Sequence, residues 1–310
     1  MIQIFVNANY DFVGKRRWFY IASAALIAIS LLSILIRGGL NYGIDFTGGS
    51  LIQVRYDKPV GVGDVRRGLE EIKLGSAIIQ QFGDAREYLI RLPQGGERPE
   101  QITPKVQAAL EKASGAKLEM RRVEFVGPQV GRDLQLQALY AVLAGMAGIL
   151  IYVAIRFDFR GGVISIVAIA HDVIVTLGAL SIFNFEMSLS VLAALLTIVG
   201  YSINDTIVIF DRIRESRGRG LRKGQSLANL VNTSLNQTLS RTILTSFTTF
   251  MASVVLFLFG GEVLRDFAFA LVVGVVLGTY STVAAASLIV DWETWSRSRQ
   301  SSPRKVPAKA

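Results

Sequence analysis

The chain has 310 residues, 51% hydrophobic and only 18% charged, with a mean hydropathy of +0.42. Soluble proteins carry about 25% charged residues, so the composition and several apolar runs of membrane-spanning length exclude a soluble enzyme. The net charge of +9 lies beside those runs, not on a basic face studded with aromatics, and this excludes nucleic acid as the partner. With no cysteine and a single histidine, disulfides, thiolate chemistry and a His-rich metal site are excluded as well.

Lys15-Arg16-Arg17 precede the first apolar run, Trp18 to Ile36. The run is long and no small-residue cleavage site follows it. It is expected to be a retained transmembrane anchor with residues 1–36 starting in the cytoplasm. Between residues 37 and 133 charges, Gly and Pro return, enough chain for one small soluble domain. Leu51 to Tyr56 alternates as a strand and Gly63 to Lys73 reads as a helix. Two strands, Ala77 to Phe82 and Glu87 to Leu92, flank Gly83-Asp84. Pro99 opens a helix that closes near Ser114-Gly115, and Lys117 to Val126 is a last strand. This βαββαβ order predicts a ferredoxin-like α+β domain.

Five further apolar runs occupy about Leu134–Ile155, Val163–Phe183, Leu189–Phe210, Thr242–Phe259 and Leu264–Val290, a bundle over residues 134–290. Arg156 and Arg160 follow the second helix. Arg212, Arg214, Arg217, Arg219, Arg222 and Lys223 follow the fourth, and Arg297, Arg299, Arg304 and Lys305 lie in the tail 291–310. Asn184–Ser188 and Gly260–Val263 carry no Lys or Arg. The positive-inside rule then puts both termini in the cytoplasm and the soluble domain outside. A cytoplasmic loop is expected over 211–240, basic from Ile213 to Lys223 and amphipathic from Ser226 to Ser240. It reads as a connector resting on anionic headgroups, or as a docking element for a partner.

Inside the fourth run, Gly200-Tyr-Ser-Ile-Asn-Asp-Thr-Ile-Val-Ile-Phe210 carries Asp205. A carboxylate at such depth costs roughly 2.5–3.5 kcal/mol on insertion scales and marks a functional site by default. Thr197, Tyr201 and Asp205 share one helical face, with Ser202 and Asn204 as further polar positions. On the fifth helix Arg241, Thr245, Thr248, Thr249 and Ser253 form a second stripe. Matching depths predict an Asp205–Arg241 ion pair, read either as a proton relay or as a staple between two helices; Arg241 snorkelling to headgroups is a third reading. His171-Asp172 lies near the middle of the third helix. Adjacent side chains diverge on a helix, so separate packing hydrogen bonds are the favoured reading over a relay. Gly274-Val-Val-Leu-Gly278 permits a close helix contact. Gly43–Gly49 is read as a flexible hinge or as a rigid turn that starts the first strand. No Walker loop occurs, so ATP is not the fuel within this chain.

Several of these stretches together resemble the SecF family, membrane subunits of the bacterial SecDF protein-export complex. They are Gly43-Ile-Asp-Phe-Thr-Gly-Gly49, Val126-Gly-Pro-Gln-Val-Gly131, His171-Asp172-Val173, Gly200 through Glu215, and Leu239-Ser-Arg-Thr-Ile-Leu-Thr-Ser246. The resemblance runs from about residue 10 to 290 and implies one half of an RND-type transporter, with SecD as the other half. It implies use of the proton-motive force to draw preproteins out of SecYEG, in the bacterial inner membrane. Asp205 is then the proton-coupling residue, with Arg241 and Thr245 beside it, and Asp45, Gly48 and Gly49 fall in the hinge motif. No cofactor is expected beyond the coupling ion, and hydroxyls around a carboxylate leave sodium open beside protons. Two rivals stay open: an RND-type exporter of small molecules or lipids, and a non-transporting scaffold of the Sec channel.

Overall fold

The computed structural model describes residues 5, 8–81, 83, 84, 86–92, 99–156, 159–218 and 226–300. Phe82, Arg219, Arg222, Lys223, Arg304, Lys305 and the side chains of Arg297 and Arg299, used above, lie outside the described residues.

Helix α1 (Arg16–Ile36) leads to a single-turn helix α2 (Ile44–Thr47). Then follow β1 (Gly49–Tyr56), α3 (Val62–Glu71), β2 (Ile78–Gln81), β3 (Glu87–Leu92), α4 (Pro99–Ser114) and β4 (Leu118–Val126). The strands pair antiparallel in the order β2-β3-β1-β4, the split βαβ arrangement. Strand alternation sorts the sheet into two faces. Ile52, Val54, Tyr88 and Ile90 pack under Val65 and Leu69 of α3 and Val106 and Leu110 of α4. The opposite face carries Leu51 and Leu89 against Ile44 of α2, with Arg91 opposite Leu51 in the register.

The remaining elements are long helices: α5 (Pro128–Arg156), α6 (Phe159–Phe183), α7 (Leu189–Gly218), α8 (Leu227–Phe259) and α9 (Glu262–Gln300). Six helices, α1 and α5 to α9, are long and apolar enough to cross a membrane. The four-residue α2 and the continuation of α7 and α8 differ from the expected layout. Helix α7 runs through the basic turns to Gly218, and α8 begins at Leu227, where Ser226 accepts from the Asn229 amide as N-cap. The stretch 227–240 buries Leu230, Val231 and Leu235 against Val13, Phe210 and Val290. Its polar face holds the N-terminal segment: Asn232 accepts from the Phe12 amide at 2.9 Å and Asn236 from the Tyr10 amide at 2.8 Å. An amphipathic lead-in is thus a helical platform for residues 10–13.

Helix α9 lies close to α7 because Gly274 and Gly278 face it. A Cβ at Gly274 would come within 2.3 Å of Ile198, and one at Gly278 within 3.4 Å of Ser202. The small-xxx-small pattern therefore marks a real helix contact. Gly178 of α6 is as tightly covered, by Ser30 of α1.

Candidate functional site

Among the described residues, two carboxylates are buried inside the six-helix bundle, Asp172 on α6 and Asp205 on α7, with 1% and 2% of their surface exposed. Asp172 is held by three short contacts. Ser202 of α7 and Ser281 of α9 each donate to Oδ2 at 2.7 Å, and His171 Nδ1 lies 2.9 Å from Oδ1. The expectation that His171 and Asp172 would bond separately is therefore corrected. The two oxygens of one carboxylate point apart, so one meets the neighbour in sequence while the other ties α7 to α9. His171 Nε2 is buried without a hydrogen-bond partner, and its ring lies 6.1 Å from that of Tyr280. Tyr280 in turn donates to the Phe19 carbonyl of α1 at 2.6 Å.

Asp205 has a thinner shell. Its Oδ2 accepts one long hydrogen bond, 3.5 Å, from Ser246 of α8, and Ser246 accepts from Thr279 of α9 at 2.7 Å. No ion pair within 4 Å joins Asp205 and Arg241 among the described residues, which corrects the predicted contact. Arg241 is exposed on the outside of the bundle. The reason is angular: Arg241 and Ser246 are five positions apart, roughly 140° around the helix, and Ser246 is the one turned inward. The Thr245 hydroxyl bonds back to the Arg241 and Thr242 carbonyls at 3.0 Å. Tyr201 is half-buried one turn from Asp205. Its hydroxyl lies beside Ser246, Thr249 and Thr279 without a hydrogen bond of good geometry. Thr197 and Asn204, assigned to the same polar set, are exposed.

Ser202 thus belongs to the Asp172 junction, and Ser246, Thr279 and Ser281 were missed by sequence reasoning. A signal existed for each: Ser246 closes the Leu239–Ser246 stretch, and Thr279-Tyr-Ser-Thr282 interrupts an apolar helix. Among the described residues, no three His, Asp or Glu side chains converge to hold a metal ion.

At the junction between the sheet domain and the bundle, Gly43–Gly49 forms a turn with defined backbone angles. Gly48 has φ 69° and ψ 172°, and Gly49 has φ 120°, conformations that a Cβ resists. The Gly43 amide donates to the Met187 carbonyl at 2.9 Å, and the Met187 amide to the Asn41 carbonyl at 2.8 Å. Asp45 accepts the first amide of α7, Leu189, at 2.9 Å, a cap supplied from far away in sequence. Gly131 of α5 sits where a Cβ would be 3.0 Å from the Gly48 nitrogen, and Gln135 donates to the Phe46 carbonyl at 2.7 Å. Arg91 of β3 pairs with Glu186 of the α6–α7 loop and is nearly enclosed. Burial pushes the Glu186 carboxyl up to about 7; Arg91 pulls it down, and Asp266 and Asp45 add to the rise.

The chain as a whole has relatives among known proteins. A family model described as "Protein export membrane protein SecD/SecF, C-terminal" matches residues 105–295, and one described as "SecD/SecF GG Motif" matches residues 33–60. A protein translocase subunit SecF from Calditerrivibrio nitroreducens is 46% identical over 92% of this chain and 94% of its own length. The chain belongs to the SecF family. A SecF subunit from Pseudomonas aeruginosa is 44% identical over 91% of this chain and 90% of its own. The crystal structure of a Thermus SecDF, described as a translocon-associated membrane protein, superposes with a TM-score of 0.83 at 42% identity. That match covers 93% of this chain and 39% of the SecDF chain, so this SecF-family chain spans about two fifths of that longer protein. The Gly43–Gly49 turn lies within the region matched by the SecF glycine motif, and both buried carboxylates lie within the larger match. Membership makes this a multi-pass membrane protein with a role in transport, not a catalyst of a chemical conversion.

Proposed function

We propose that this chain acts with SecD as a proton-driven subunit that promotes preprotein translocation through SecYEG on the extracytoplasmic side of the bacterial inner membrane. In this reading both termini are cytoplasmic, and the ferredoxin-like domain over residues 37–133 lies outside. The observation that carries it is Asp205: a carboxylate buried in the membrane bundle with, among the described residues, one 3.5 Å hydroxyl contact. A carboxylate so sparsely bonded is free to change partners when it gains or loses a proton, which a coupling residue requires.

Exposure supports a second bundle as partner. Asn204 of α7 and Arg241 of α8 are exposed in the single chain, within membrane-spanning helices. Hydrocarbon does not solvate such groups, so another set of helices carrying polar side chains is their natural cover. SecD supplies that cover in this reading, and Arg241 then serves Asp205 across the joint surface.

The test is translocation of a preprotein into inverted vesicles that contain SecD and this chain, with and without an imposed proton gradient. Asp205→Asn is expected to abolish the gradient-dependent stimulation while leaving expression and SecD association intact. Equal stimulation in variant and wild type overturns the proposal and leaves Asp205 a structural group. Repeating the assay with a sodium gradient separates the two candidate ions.

A further inference from the structure

At the end of the bundle that carries the basic turns, α6, α7 and α9 leave a cavity of about 180 Å³. Its walls are apolar, from Ile164, Phe210, Ile213, Ile289 and Trp292, and its mouth is ringed by Arg160, Arg214 and Arg217. The one acid at the mouth, Glu293, is paired with Arg217. Arg214 spends one nitrogen on the Arg156 carbonyl at 2.8 Å, and no carboxylate pairs with Arg160 or Arg214 among the described residues. Gly161, in the first turn of α6, also lines the cavity. The positive dipole end of α6 therefore faces the same side as the guanidinium groups.

We propose that this cavity binds one anionic phospholipid, its phosphate held by Arg160 and Arg214 at the first turn of α6 and the start of an acyl chain lying against Trp292 and Ile213. Three features single out a lipid. The arginines stand where α7 passes from apolar residues to basic ones, the depth of headgroup phosphates. Trp292 sits at that same level, where aromatic rings favour the membrane interface. The apolar walls suit hydrocarbon and offer nothing to a free phosphate. Basic pockets between helices at this depth bind anionic headgroups by the same arrangement.

The experiment uses the full chain co-purified with SecD in mild detergent. It is given phosphatidylglycerol or phosphatidylcholine bearing a photoreactive group high on one acyl chain, and cross-linked residues are mapped by mass spectrometry. The expected result is labelling of Ile213, Ile289 or Trp292 by phosphatidylglycerol, roughly tenfold above phosphatidylcholine. Arg160→Gln/Arg214→Gln is expected to remove that preference, whereas Arg66→Gln/Lys105→Gln on the soluble domain keeps it. Equal labelling by both lipids in the wild type overturns the proposal, and needs no variant to fold. Unchanged labelling in the arginine variant overturns it as well. So does full competition by inorganic phosphate, which would make the site one for a free anion.

Discussion

Asp172 and Asp205 are the same residue type, buried to the same degree in the same bundle, yet their surroundings differ. Asp172 makes three hydrogen bonds at 2.7–2.9 Å and binds α6, α7 and α9 together. Asp205 receives one at 3.5 Å, relayed by a serine and a threonine from two other helices. A carboxylate with a full set of short hydrogen bonds is anchored, because releasing it leaves several buried groups unpaired. One with a single long bond loses little by moving. Burial alone therefore does not tell the two carboxylates apart; the number of short hydrogen bonds does.

The largest expected effect follows from the anchored member. Asp172→Ala orphans Ser202, Ser281 and His171 and is expected to cost about 1–3 kcal/mol of bundle stability, read as a lowered melting temperature in detergent. Asp205→Asn is expected to cost less than about 1 kcal/mol. Equal losses for the two variants would erase the distinction between anchor and coupling group.

A smaller effect sharpens the comparison through double-mutant cycles. The coupling between Asp172→Ala and Ser281→Ala is expected near 0.6 kcal/mol, roughly the average for hydrogen bonds between membrane helices. The coupling between Asp205→Asn and Thr279→Val, whose side chains meet only through Ser246, is expected near zero. A coupling at Asp205 as large as that at Asp172 would show its shell to be tighter than the 3.5 Å contact implies.

A separate, pH-dependent effect belongs to a half-buried acid, Glu186, in the loop between α6 and α7. Its folded-state value of about 7 lies above the ordinary 4.5, so the folded chain holds this proton more tightly than the unfolded chain does. The contribution to stability is full below about pH 4.5 and is lost as pH rises to about 7. Wild-type melting temperature is expected to fall relative to Glu186→Gln across that window and to run parallel above it. Parallel curves throughout would mean that Arg91 neutralises the cost of burial.

Much of this architecture was legible in the sequence, for identifiable reasons. Apolar runs give the six spans because a bilayer has one thickness, and turn residues such as Gly83-Asp84 and Gly115 separate the elements of the βαββαβ domain. The β3 limits, Glu87–Leu92, coincide with the observed strand. Hydropathy does not report helix length, however, so the continuation of α7 to Gly218 and the start of α8 at Leu227 were hidden in a basic stretch. Depth could be counted along Asp205 and Arg241, but the direction each side chain faces depends on how the helices are rotated. That is why Ser246, not Arg241, turned out to contact Asp205. The Asp172 junction was hidden for a related reason: its partners Ser202 and Ser281 come from helices whose packing rests on Gly274 and Gly278.

The cap that Asp45 places on α7 has a mechanical consequence. Through Asp45 and the Gly43–Met187 bonds, the sheet is fastened to the end of a 30-residue rod. Asp205 sits sixteen residues from that end, roughly 24 Å along the axis. If α7 pivots by ten degrees about Asp205, the far end sweeps roughly 4 Å, and the fastened sheet has to travel with it. In the proposed reading the rod is a lever arm, which turns a small rotation about one carboxylate into a displacement of several ångströms at the sheet.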